Sequence, residues 1–305
     1  MDRPLCLIVN PAARSGRGLA LVPPATSALV RAGQEHRVVE SASLAHAREL
    51  ALQAAERGEV VVAVGGDGMA GALAGAAAAV GAHYGLIPTG RGNDLASVLG
   101  IPSDPAAAAR ILVGGQVRQV DLIGVSTPDT AEVVVAGSVY AGIPAVAGEI
   151  ANATKWLAGS LVYPVAALRA LVRWKPARFS VAIEGVDGGH EYEGYAVVVA
   201  NSPLFGAGMQ VAPPAVVDDG VLDIVLMQHA AKLTFVRALL KIKDGTHVAL
   251  PEISLDRGTC VTITMSRDLP AAADGEPLPF ASPLAAGTPL RIRVLPGVLR
   301  ALVPA

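Results

Sequence analysis

The sequence predicts an α/β N-terminal domain, doubly wound around a parallel sheet, followed by a C-terminal antiparallel β-sandwich. Three observations carry that expectation. Up to about residue 122, short apolar runs alternate with helical segments, the pattern of a parallel sheet with crossover helices. The most continuous run, Val60 to Val64, breaks into Gly65-Gly66-Asp67-Gly68 ahead of an Ala-rich segment, as at a strand-to-helix turn that cradles an anion. Beyond Asp121 the texture changes to β-branched runs separated mostly by Gly, Pro, Asp and Asn, as in short antiparallel strands.

Each element follows from its residues. Leu5 to Val9 is a strand stopped by Asn10-Pro11, and Leu19 to Ala32 has helical periodicity in spite of Pro23 and Pro24. Arg37 to Val39 is a second short strand, leading through Ser41 to a helix from Leu44 to Arg57. Val60 to Val64 lacks alternation because a strand covered on both faces needs none. Met69 to Val80 is the next helix, Gly85 to Pro88 a fourth strand and Leu95 to Leu99 the helix after it. In the second half, Val133 to Ser138, Phe179 to Glu184, Ala196 to Ala200, Leu222 to Met227, Val261 to Met265 and Leu290 to Leu295 read as strands. We place a nucleotide-binding domain at residues 1–122 and a β-rich domain at 123–296, with a tail of about 297–305 packing back on the first.

Composition narrows the function. An apolar share of 52% against 16% charged residues belongs to a chain that builds a core. A net charge of −2 with no basic run argues against nucleic acid. Cys6 and Cys260 are the only cysteines, so no disulfide and a reducing, cytoplasmic setting are expected. Leu5 to Val9 is too short for a signal-peptide core, so the mature chain is expected to begin near Met1. No uncharged stretch is long enough to span a membrane. Trp156 to Trp174 carries Arg169 and Arg173 and is flanked by Lys155, Lys175 and Arg178. It reads either as a segment lying on a membrane surface or as a helix packed on its own domain with snorkelling arginines.

Three polar turns follow three of the strands: Asn10 to Gly18 with Arg14 and Arg17, Gly65 to Gly68 with Asp67, and Gly90 to Asp94 with Arg91. A common sheet edge brings them together, offering N–H donors for phosphates and hard oxygens for Mg²⁺. Helix capping explains Asp94 singly, and a turn explains Asn93, but neither explains the joint pattern. The absence of GxxxxGK[ST], of GxGxxG after the first strand, of HExxH and of GxSxG argues against P-loop, dinucleotide, zincin and serine-hydrolase chemistry.

Asn10-Pro11 with its Gly-containing tail, Gly65-Gly66-Asp67-Gly68, Pro88-Thr-Gly-Arg-Gly-Asn93-Asp94 and Asp274-Gly275-Glu276 resemble the ordered motifs of the bacterial diacylglycerol kinase and sphingosine kinase-like lipid kinases. Asn201 to Gly208, continuing through Pro213 to Asp219-Gly220-Val-Leu-Asp223, resembles that family's C-terminal signature. The resemblance implies an NAD kinase/diacylglycerol kinase-like fold and Mg²⁺-dependent phosphorylation of a lipid hydroxyl by ATP, diacylglycerol becoming phosphatidic acid. It implies an ATP site lined by Asn10, Pro11, Ala12, Ala13, Arg14 and Ser41, by Gly65, Gly66, Asp67, Gly68, Met69, Ala70, Gly71 and Ala72, and by Gly90, Arg91, Gly92 and Asn93. Asp67 and Asp94 would orient Mg²⁺ and phosphates, and Glu276 would be the general base. A separate structural Mg²⁺ would be held by Asp219 with the carbonyls of Val216 and Val221. Peripheral contact with the inner membrane surface is an expectation from the Trp156 to Trp174 segment, and the sequence leaves the oligomeric state, a homodimer included, open.

Met69 stands where that family usually has Thr, Gly71 and Leu73 replace a commonly polar pair, and Arg91 replaces a small Thr. The alternatives are an NAD kinase-like enzyme, which shares the Gly-Gly-Asp-Gly turn, and a non-catalytic protein binding lipid and nucleotide on the same fold.

Overall fold

The computed structural model describes residues 3–11, 19–90, 92–153, 162–175, 177–280 and 283–305. Strands β1 (Leu5–Val9), β2 (His36–Glu40), β3 (Val60–Gly65) and β4 (His83–Pro88) pair in parallel in the order β2-β1-β3-β4. Every residue of β1 and β3 is buried, which is why both read as unbroken apolar runs. Helices α1 (Val22–Arg31), α2 (Leu44–Glu56) and α3 (Asp67–Ala79) are the crossovers. Pro23 and Pro24 fall in the first turn of α1, where the missing N–H leaves no bond unmade, so the helix begins at Val22 after a 3₁₀ turn over Leu19–Leu21. Ser43 caps α2 by accepting the His46 N–H.

From β1 the chain crosses one way to β2 and then the other way to β3. The connections therefore diverge at the carboxyl ends of β1 and β3, which opens the crevice where α/β sheets bind ligands.

Helices α4 (Asp94–Val98) and α5 (Pro105–Gly114) lead into β5 (Gln116–Ser126), which runs through the boundary placed near Leu122. Next come β6 (Val133–Val135), β7 (Ser138–Gly142), α6 (Ile143–Ala153), α7 (Val162–Arg173), β8 (Ala177–Ile183) and β9 (His190–Ala200). The ribbon β10 (Leu204–Phe205) with β11 (Met209–Gln210) precedes β12 (Leu222–Gln228) and α8 (Lys232–Lys241). The chain then forms β13 (Ile253–Gly258), β14 (Cys260–Met265), β15 (Ala271–Ala273), β16 (Glu276–Pro277) and β17 (Leu290–Val303). Antiparallel pairing runs β16-β15-β7-β9-β8-β14-β17, with β12 also on β9 and β13 on β12. Ile123, Phe179, Val197, Val261 and Ile292 belong to the buried core of this β-rich half, and a further core packs α6, α7 and α8 on its outer face.

The run read as a strand from Leu290 to Leu295 is half of a longer one. Arg293 back to Leu290 pairs with β14 in antiparallel register, and Arg300-Ala301 pairs in parallel with His83-Tyr84 of β4. Between them the register against β5 shifts at Leu295/Leu299, where Gly297 has φ +60° and its N–H donates to Asp121 Oδ1 at 2.7 Å. Asp121, almost wholly buried, also accepts the Gly220 N–H through Oδ2 at 2.7 Å. Among the described residues no helix is long and apolar enough to cross a membrane. Of Trp156 to Trp174, α7 covers Val162–Arg173, and residues 154–161 lie outside the described residues.

Candidate active site

A cleft of about 1800 Å³ opens at the carboxyl ends of the parallel strands and is closed on its other side by loops of the β-rich half. Close backbone approach shapes its floor: a Cβ on Gly90 would lie 2.4 Å from the Gly66 Cα, so the two turns meet only as glycines. Asn93, at φ +59°, precedes α4, and its Oδ1 accepts the Gly90 N–H at 2.8 Å. The cap of α4 comes from outside the helix, because Asp67 accepts the Asn93 N–H at 2.9 Å and the Asp94 N–H at 2.7 Å. Asp94 therefore does not serve as the cap of its own helix, and its carboxylate is left for other partners.

The Asp94 carboxylate reaches across the cleft and accepts the Ala207 N–H at 3.1 Å and the Gly208 N–H at 2.8 Å. Gly206, Ala207 and Gly208 all have positive φ, which turns successive N–H groups toward one anion. Asp274 is held in the same manner by Ala136, Gly137 and Ser138, whose N–H groups donate at 2.7, 2.8 and 3.0 Å. Burial and the Asp67 charge raise the Asp94 carboxyl above its ordinary range. Burial, followed by the Asp67 charge and against three amides that lower it, raises Asp274.

Glu276 lies on the open wall of the cleft, and partial burial raises its carboxyl. Its Oε1 would be 3.4 Å from a Cβ placed on Gly68, so the Asp-Gly-Glu segment stands directly over the Gly-Gly-Asp-Gly turn. The positions lie more than two hundred residues apart in the chain.

Of the residues expected to hold a nucleotide, Asn10, Gly66, Asp67, Gly68, Met69, Gly71, Gly90 and Gly92 line the cleft, together with Asp94 and Glu276. Ala12, Ala13, Arg14 and Arg91 lie outside the described residues. Pro11, Gly65, Ala70, Ala72 and Asn93 are not on the cleft wall. Ala70 and Ala72 point into the core, because α3 turns only one face to the cleft. Leu73, noted as a departure from a polar residue, is wholly buried there too. Ser41 is buried and off the cleft wall, and its hydroxyl donates to the Val9 carbonyl at 3.0 Å, closing the end of β1. Sequence reasoning missed the wall made by Ser138, Tyr140, Leu239, Leu240, Ile242 and Lys243. The Gly206-Ala-Gly208 element was visible as a motif without its partner.

Two metal sites were expected, and they differ. The cleft offers carboxylate oxygens, but among the described residues no cluster of three His, Cys, Asp or Glu side chains could chelate an ion alone. That fits Mg²⁺ carried by a triphosphate, which needs only one or two carboxylates from the protein. In the set Val216, Asp219 and Val221, the one carboxylate already has protein partners. Asp219 Oδ1 already accepts the Val221 N–H at 3.1 Å, and Oδ2 is paired with the Arg257 guanidinium. Arg257 Nε also lies 3.4 Å from Asp223 Oδ1, so a cationic side chain already occupies the place between these carboxylates.

Comparison with known proteins agrees with this geometry. Residues 4–125 match the diacylglycerol kinase catalytic domain, and residues 137–303 match the YegS C-terminal NAD kinase beta sandwich-like domain. A protein named diacylglycerol kinase from Mycobacterium tuberculosis is 31% identical over 305 residues, covering 95% of this chain and 92% of that protein. A Stenotrophomonas maltophilia protein named "Probable lipid kinase YegS-like" is 28% identical over 259 residues, 81% of this chain and 79% of its own. A crystal structure titled as a diacylglycerol kinase from Bacillus anthracis superposes with a TM-score of 0.71 at 19% identity, covering 99% of this chain and 97% of that one. At that identity the likeness is one of fold.

Proposed function

The chain belongs to the diacylglycerol kinase and YegS-like family of lipid kinases, phosphotransferases with an alcohol acceptor, and on that premise we propose that it transfers the γ-phosphoryl group of ATP to the hydroxyl of diacylglycerol. The single observation that carries the reading is the placement of Glu276 over Gly68. A general base must be within hydrogen-bond reach of the acceptor hydroxyl, directly or through one water. A carboxylate above the phosphate turn meets that demand for an acceptor entering from the β-rich side.

The nucleotide lies against Gly66, Gly68, Gly90 and Gly92, which line the cleft and carry no Cβ. The positive end of α3 and its unpaired N–H groups face the phosphates. Asp67 and Asp94 would hold Mg²⁺ jointly with the triphosphate, and the ion supplies neutralisation of phosphate charge. Phosphoryl transfer of this kind is mostly positioning and electrostatics, which suits a site whose carboxylates are fixed by main-chain amides. Glu276 takes the hydroxyl proton as the oxygen attacks. The apolar wall of Tyr140, Leu204, Phe205, Met209 and Leu239 receives the acyl chains, and the reaction runs at the cytoplasmic face of the membrane, where ATP is available.

Purified protein with Mg-ATP should phosphorylate diacylglycerol in mixed micelles. Failure on diacylglycerol and on every long-chain lipid alcohol would sink the proposal. The β-sandwich of NAD kinase type makes NAD the control acceptor, and NADP formation in place of lipid phosphate would select the NAD kinase-like alternative.

A further inference from the structure

We propose that the outward faces of α7 and α8 form one docking surface for an anionic lipid bilayer, seating the mouth of the cleft on the membrane. Its purpose rests on the lipid-kinase reading, whereas its test does not. Three of the four most exposed large apolar side chains among the described residues are Leu240 at 75%, Val172 at 64% and Leu233 at 63%. Singly, exposed leucines mean little. Here they fall on two adjacent helices, with Lys232 Nζ of α8 donating to the Val172 carbonyl of α7 at 3.2 Å.

The spacing gives each helix one outward stripe. Leu168, Arg169, Val172 and Arg173 follow one another at helical intervals on α7, all exposed. On α8 the exposed positions Leu233, Arg237, Leu240 and Lys241 do the same. Apolar residues interleaved with cations at helical period are the pattern of a helix lying in a membrane interface.

Charge then selects the occupant. The whole chain has 26 acidic and 24 basic residues, yet no Asp or Glu occurs from 150 to 183 or from 224 to 243. The two segments that carry α7 and α8 therefore contain only cations, in a protein that is net negative. A cationic, partly apolar face complements anionic headgroups and the acyl boundary beneath them. The surface is also continuous with the cleft, because Leu239, Leu240, Ile242 and Lys243 line it. A water-insoluble acceptor thus has a path from bilayer to cleft along α8. Sequence periodicity pointed only to the α7 half of this surface.

The test is co-sedimentation of the full chain with vesicles of phosphatidylcholine alone and of phosphatidylcholine mixed with phosphatidylglycerol. The wild type should pellet with the mixed vesicles only, and less as salt rises. Arg173→Ala/Arg237→Ala/Lys241→Ala should weaken binding to mixed vesicles by roughly 10-fold or more, since each cation near an anionic surface contributes several-fold. Val172→Ser/Leu233→Ser should weaken it even at low salt, with unfolding midpoints near wild type in both variants. Equal pelleting with both vesicle types, or variants that bind as wild type, would overturn the proposal. So would a surface that joins two copies of the chain instead, revealed by variants that change the oligomeric state and leave vesicle binding intact. Turnover on detergent-solubilised lipid separates the two readings. Its absence with vesicle binding as expected would remove the kinase assignment and leave the docking surface standing.

Discussion

Two regions of this protein carry carboxylates that the sequence marks for metal, and the structure surrounds them differently. In the cleft, Asp67, Asp94, Asp274 and Glu276 line one space, three of them are steered by backbone N–H groups, and among the described residues no cationic side chain bonds to those three. At the turn from Asp218 to Asp223, Arg118 pairs with Asp218, and Arg257 pairs with Asp219 and approaches Asp223. In the cleft, burial first and then the Asp67 charge raise the carboxyls of Asp94 and Asp274. The second region has cationic partners for Asp218 and Asp219 from within the chain, while Asp223, raised by burial, keeps one buried oxygen without a hydrogen-bond partner. Sequence motifs locate carboxylates, whereas their neighbours decide whether an ion is still needed.

Glu276→Gln should have the largest effect. It keeps the shape and removes the base, so turnover should fall roughly 10²-fold or more with ATP binding unchanged. Wild-type turnover in this variant would show that Glu276 is only a turn residue.

A related effect concerns pH. Glu276 is raised by partial burial, so activity should decline as pH falls through a value above the ordinary carboxylate range. A folded-state value above the unfolded one means that ionisation of Asp94, Asp274 and Glu276 works against the ligand-free fold. These groups favour the fold most below the ordinary carboxylate values, and that contribution is lost as pH rises through the raised ones. Mg-ATP should reverse the trend at Asp94 by binding the ionised form, with net proton release measurable by calorimetry in two buffers of different ionisation heat. Zero release across that window would break the contrast between the two regions.

Asp67→Asn should come next. It removes a charge from the cleft and weakens the cap of α4, so the Mg²⁺ concentration for half-maximal rate should rise several-fold, with about 1 kcal/mol lost from stability. An unchanged Mg²⁺ dependence would leave Asp67 as a cap alone.

The smallest effect tests the other region. Chelation with EDTA should leave the unfolding midpoint of the wild type unmoved. Arg257→Met should cost about 1–2 kcal/mol, below the full penalty for a broken buried pair because Arg257 is half exposed, and Mg²⁺ should restore part of that loss. Destabilisation of the wild type by EDTA would show that Asp219 needs an ion in addition to Arg257.

Much of the nucleotide half was legible because its strands are buried on both faces and its turns need glycine, and both constraints leave residues in the sequence. Leu5–Val9 was read to its observed bounds, while α3 starts two residues earlier than its apolar periodicity suggested because Asp67 belongs to its first turn. The other half was read less well. The bond between Asp94 and the turn at Ala207 and Gly208 spans more than a hundred residues, and nothing local at either position announces it. Ser41 looked like a ligand residue because a hydroxyl after a strand suits both a phosphate and a carbonyl, and only the packing shows that it bonds to Val9. Pro296-Gly297 read as the end of a strand, whereas Asp121 holds a bulge there and the strand continues.

That bulged strand bears on the order in which the protein can fold. The edge of β4 that receives Arg300-Ala301 has no partner until that segment has been synthesised. Until β17 forms, the first sheet therefore exposes an unpaired edge of the kind that recruits other chains. Completion of β17 closes this edge and joins the sheet to β14, so the two halves finish folding in one late event. A chain shortened before Leu299 should then aggregate before it loses its cleft, with the exposed β4 edge as the site of association.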